Sequence, residues 1–138
     1  MLLGFLSLKT IAQVSWQGGT NPEANQAGTI LFDRTGTTLA STSPIYAHIG
    51  LTVNGTAWQN VIGTWGSATQ PQFTLVSGNI YKLDLTPSVL AFFGSPTGTV
   101  TKVNIVLRNA AGNVQTTDLF LNVGAFQSNL ITPAENST

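Results

Sequence analysis

A chain of 138 residues has room for one domain, with a core large enough to fold without disulfide or metal staples. Charged residues make up only 7% of it, against roughly 25% in ordinary soluble domains, and five bases balance five acids. Zero net charge gives no basic stripe for nucleic acid and no cationic patch for anionic lipid, and the absence of cysteine excludes disulfides and thiolate metal sites.

At the start, Leu2, Leu3, Phe5, Leu6 and Leu8 form a short apolar run, and Thr10-Ile11-Ala12 places small residues where a signal peptidase inspects the chain. Residues 1–12 are therefore expected to be a secretory signal-peptide remnant cleaved after Ala12. The run is far shorter than the roughly 20 residues that span a bilayer, so no membrane span is expected. Lys9 inside the run and the missing basic n-region weigh the other way, toward an edge strand packed on the domain. Residues 13–27 read as an N-terminal extension whose Trp16 either packs on the domain or stays free.

From residue 28 the chain reads as β. Gly28 to Asp33 is a short strand ended by Arg34-Thr35-Gly36. Pro44 to Val53 is a second, and Asn54-Gly55 is a strong two-residue hairpin signal. The stretch from Trp58 to Trp65 is expected to return antiparallel to it. Gln72–Val76 and Ile80–Leu85 flank the turn Ser77-Gly78-Asn79, with Tyr81, Leu83 and Leu85 alternating against Lys82 and Asp84.

Thr86 followed by Pro87, with Gly94 beyond, predicts a short helix over residues 87–93, its Leu90 and Phe93 plugging one end. Val103, Ile105 and Leu107 then alternate with Lys102, Asn104 and Arg108. After the turn Ala111-Gly112-Asn113, Leu119, Leu121 and Val123 alternate with Phe120 and Asn122. About seven short strands with turn signals every 8–12 residues predict an all-β fold: one immunoglobulin-like antiparallel β-sandwich over residues 28–124. Residues 125–138 are polar and aperiodic and read as a linker or tail.

The chemistry concentrates in Tyr46, His48, Trp58, Gln59, Asn60 and Trp65. This set holds the only histidine, two of three tryptophans and one of two tyrosines. Tyr46 and His48 lie two apart on a strand and share one face, while Ala47, Ile49 and Leu51 take the other. If the apolar set faces the core, His48 points outward. Indole faces stack on the C–H face of a sugar, and imidazole and amides reach its hydroxyls. A tryptophan on a sandwich strand also serves as a core plug, and both readings stand for Trp58 and Trp65. No catalytic residue is assigned, because acid–base hydrolysis needs two placed groups and the five acids are scattered. No cofactor or metal is implied either. Calcium would need Asp33 or Asp118 with loop carbonyls, and no acidic loop cluster accompanies them.

Tyr46-Ala47-His48-Ile49-Gly50, Trp58-Gln59-Asn60-Val61 and Trp65-Gly66 resemble the N-terminal sandwich domain of many secreted Bacteroidota proteins. So do Tyr81 to Leu85, Phe92-Phe93-Gly94-Ser95-Pro96 and Ile105 to Gly112. That domain is often joined to α-amylase-type glycoside hydrolases and is similar to small starch-binding modules. The resemblance covers about residues 28–124 and implies a sugar platform at Tyr46, His48, Trp58 and Trp65. The chain departs from the starch-binding pattern at Gly112 to Asp118, where a further tryptophan beside an Asp and Asn pair is usual and no aromatic stands.

Two functions follow. One is a noncatalytic accessory module of an exported protein that binds a polysaccharide of α-glucan type. The other is a structural, spacer or self-assembling domain that packs on a downstream domain or on copies of itself, with no sugar ligand.

Overall fold

The computed structural model describes residues 12–124, so the expected signal remnant and the tail lie, apart from Ala12, outside the described residues. Eight strands and one short helix follow in order. They are β1 (Val14–Trp16), β2 (Gly28–Asp33), β3 (Ile45–Val53), β4 (Thr56–Gln59), β5 (Gln72–Ser77), β6 (Ile80–Leu85), α1 (Val89–Phe92), β7 (Val100–Arg108) and β8 (Leu119–Asn122). All strand pairs are antiparallel. One layer runs β1-β2-β6-β5 and the other runs β3-β7-β8, with β4 added at the outer side of β3. This is the ABED and CFG strand order of the immunoglobulin-like sandwich, and it agrees with the expected fold class.

The two layers are joined. The first half of β5 pairs with β3 (Ile45 opposite Phe73, Tyr46 opposite Gln72), and its second half pairs with β6. On the far side, the Trp16 indole N–H donates to the Asn122 carbonyl at 2.8 Å, and Glu23 bridges to Gly124. The result is close to a closed barrel.

Period-2 alternation places the core where the pattern predicts. Ala47, Ile49 and Leu51 of β3 meet Val103, Ile105 and Leu107 of β7, and all six are fully buried. Ile30, Phe32, Tyr81 and Leu85 come from the other layer, and Phe32 meets Phe73 edge-on with centroids 6.5 Å apart. At the Asn54-Gly55 turn both residues take positive φ (49° and 82°), which makes the tight hairpin between β3 and β4.

Three expectations are corrected. Residues 13–27 are not an extension ahead of the sandwich: β1 pairs with β2, and Trp16 packs into the core at 5% exposure. The helix is capped by Ser88 rather than Thr86, because the Ser88 side chain accepts from the Ala91 N–H at 2.9 Å and Pro87 lies before the cap. Val89 is the buried plug together with Phe93, and Leu90 is only half-buried. Finally, β4 ends at Gln59, so Trp65 is not on a strand. The β3–β4 register shifts between Leu51 and Val53, and Trp58 takes φ 61° at this bulge.

Candidate functional site

Beyond Gln59 the chain does not continue along the sheet. It folds back over the outer face of β3 and β7. Ile62 N–H donates to the Ile49 carbonyl at 3.2 Å, and Ala47 N–H donates to the Pro71 carbonyl at 2.8 Å, which anchors the loop 60–71 at both ends. Within it the Thr64 N–H donates to Thr69 Oγ1 and the Ser67 N–H to the Thr64 carbonyl, and the Ser67 and Thr69 hydroxyls share a hydrogen bond. Gly50 permits this cover, since a Cβ there would stand 2.9 Å from Val61 Cγ2 and 3.0 Å from the Gln59 carbonyl oxygen.

The cover buries residues on the outward side of β7. Val106 is 4% exposed and Arg108 is fully buried. No carboxylate pairs with Arg108 among the described residues. Its guanidinium instead donates to four oxygens: Nε to Gln70 Oε1 at 2.9 Å, Nη1 to the Asn109 and Ala110 carbonyls, and Nη2 to the Ser67 carbonyl at 2.6 Å. Its carbon also lies 4.9 Å from the Tyr46 ring centroid and 5.6 Å from that of Trp65. Hydrogen bonds to oxygens together with two aromatic faces make a buried guanidinium tolerable without an acid. One side chain thereby clamps the β4–β5 loop, the β7–β8 loop and β3 together.

Above the clamp lies an open cleft of about 390 Å³, lined by His48, Trp58, Trp65, Val106, Gln115 and Asp118. His48 points outward from β3, as the alternation predicts, and is half-buried under the two indoles. Its ring centroid is 5.3 Å from that of Trp58 at 38° and 5.3 Å from that of Trp65 at 68°. Trp65 is 39% exposed, which rules out the core-plug reading for it. The indoles do not form one flat platform; they are walls set around the imidazole. Across the cleft the β7–β8 connection contributes the Gln115 and Asp118 side chains, both exposed, and Gly112 lets this connection approach Trp65, whose Nε1 would meet a Cβ at 2.9 Å.

The remaining expected residues fall elsewhere. Tyr46 is half-buried against Arg108 and does not line the cleft. The Gln59 amide donates to the Ala57 carbonyl at 3.2 Å, and the Asn60 amide donates to the Phe93 carbonyl at 3.0 Å, tying β4 to the end of α1. Neither amide lines the cleft. Sequence reasoning missed Gln70, Arg108, Gln115 and Asp118 as parts of this site. The readable signal was Val106, an apolar residue on the face of β7 that alternation assigns to solvent.

The His48 imidazole is held below its ordinary value of 6.5, chiefly by burial and then by Arg108, with Asp118 acting the other way. It is therefore neutral at pH 7. No group of three or more His, Cys, Asp or Glu that could hold a metal occurs among the described residues. Chemically, the cleft offers two indole faces, one imidazole, one carboxylate and one amide. No protein-family model matches the chain, and no curated protein matches it either.

Proposed function

We propose that this chain is a noncatalytic carbohydrate-binding accessory module of an exported protein, holding an uncharged polysaccharide of α-glucan type in the Trp58–Trp65 cleft. The observation that carries the reading is the cleft itself: two indole walls, one of them 39% exposed, beside one carboxylate and one amide. A sugar presents an apolar C–H face to indole and hydroxyls that both donate and accept, which suits this mixture of groups. The likeness to secreted sandwich domains, carried by Tyr46 to Gly50 and by Trp58 to Trp65, supports the same class. The chemistry available favours binding over hydrolysis, since Asp118 is the single carboxylate lining the cleft and no second acid stands opposite it.

Affinity electrophoresis in gels containing soluble starch, other glucans or xylan tests the proposal. Retardation of the wild type by at least one polysaccharide, lost in Trp58→Ala and Trp65→Ala, is the expected result. Migration unaffected by all of them sinks it.

A second reading, a structural or self-associating domain, draws on the opposite sheet. There Leu75 (59% exposed) and Val76 (52% exposed) border a groove with Leu31 and Ile80. Sedimentation that stays monomeric at high protein concentration would remove self-association.

A further inference from the structure

Gln70 is 2% exposed and lies beneath the cleft without lining it. It precedes Pro71 and β5, and its side chain makes three polar contacts. Oε1 accepts from Arg108 Nε at 2.9 Å, Nε2 lies 2.8 Å from His48 Nδ1, and Nε2 also donates to the Ile62 carbonyl at 3.4 Å. The orientation of this amide is determined from both sides. A guanidinium only donates, so it must face the amide oxygen; a carbonyl only accepts, so it must face the amide nitrogen. An amide nitrogen donates, which makes Nδ1 of His48 the acceptor. A neutral imidazole carries one proton, and that proton is therefore on Nε2.

No described residue takes a hydrogen bond from Nε2, and the ring that bears it lines the cleft. We infer that Gln70, itself held by Arg108, is a positioning residue that fixes His48 as a hydrogen-bond donor toward the ligand. The ligand atom opposite His48 must then be an acceptor oxygen, such as a hydroxyl, ring or glycosidic oxygen, and an ammonium group is rejected there. Asp118, which also lines the cleft, has the reverse demand and accepts a hydrogen bond from a hydroxyl. Hydroxyls satisfy both walls. The consequence for binding rests on the carbohydrate reading above, whereas the tautomer does not.

His48 is the only histidine in the chain, so long-range 15N–1H correlation spectra of the full-length protein report its tautomer without assignment ambiguity. The wild type should show a protonated Nε2 and a bare Nδ1. In Gln70→Glu, studied at alkaline pH where the ring is neutral, the carboxylate still accepts from Arg108 but only accepts from His48, so the single ring proton should move from Nε2 to Nδ1. Retardation by soluble starch should then weaken about tenfold, the loss of roughly one hydrogen bond. A wild-type proton on Nδ1, or an even mixture of tautomers, overturns the inference. Starch binding unchanged in Gln70→Glu despite a moved proton overturns the positioning role. Expected tautomers with no retardation by any glucan or xylan leave the assignment of Gln70 supported and sink the carbohydrate reading alone.

Discussion

Val61 rests on Gly50: its Cγ2 occupies the space where a β-carbon of residue 50 would come within 2.9 Å. The backbone oxygen of Gln59 closes the same space from the other side at 3.0 Å. Gly50→Ala should therefore lift the β4–β5 loop and lower stability by about 1–3 kcal/mol, the usual cost of forcing a methyl into a packed site. Urea denaturation measures the loss, and faster proteolysis within residues 60–70 would locate it. A variant as stable as wild type would mean that the loop does not lie on β3.

Arg108 holds four oxygens that no other described side chain reaches. Arg108→Lys keeps the charge but has no planar fork, so it cannot serve the buried Gln70 Oε1 together with the part-buried Ser67, Asn109 and Ala110 carbonyls. A loss on the order of 3 kcal/mol is expected from unpaired buried groups. The near-ultraviolet circular dichroism of Trp65 should collapse with it. Retention of both stability and signal counts against the clamp.

Trp58 adopts φ 61°, a left-handed conformation that costs an ordinary residue about 1–2 kcal/mol. Trp58→Ala loses the ring and keeps the strain, whereas Trp58→Gly loses the ring and relieves it. The glycine variant should be the more stable by about 1 kcal/mol, a difference that a pair of denaturation curves resolves. Both should lose polysaccharide retardation. Equal stability of the two would indicate that the bulge relaxes once the indole is gone.

The native His48 takes up its proton below pH 6.5, while the unfolded chain titrates near the ordinary value. Between those two points the unfolded state binds the proton and the native state does not. Stability is accordingly full above about pH 6.5 and declines as pH falls through that window. Asp33 and Asp84, held below 3.8 chiefly by hydrogen bonds with Thr35 and Thr29 respectively, act only further into acid. Thermal melting from about pH 8 to about pH 5 should decline in the wild type and much less in His48→Gln. Matching declines in the two proteins would assign the effect to another group.

The strands were legible because each tells its inner from its outer face by alternation: Ala47, Ile49 and Leu51 could only face inward together. The Asn54-Gly55 hairpin was legible because few other pairs accept two positive φ angles in succession. Trp65 was not, since a bulge at Trp58 ends the strand early and no local propensity marks where a chain leaves a sheet. Gln70 and Arg108 look like ordinary surface residues in a string of letters. Their roles arise from a contact 38 residues apart in sequence, and only the loop lying over the sheet makes them interior. The packing of Trp16 stays open in the sequence for a related reason, because a three-residue edge strand is too short to show a period.

Strand β5 belongs to both layers, passing from β3 to β6 between Phe73 and Thr74. A strand shared in this way couples the two layers mechanically: neither can slide or peel away without breaking hydrogen bonds that hold the other. Gln70 sits two residues before the start of that strand, so the amide that aims His48 is tethered to the seam. Amide hydrogens of β3 and β6, which lie in different layers, should then exchange through one common opening event rather than two.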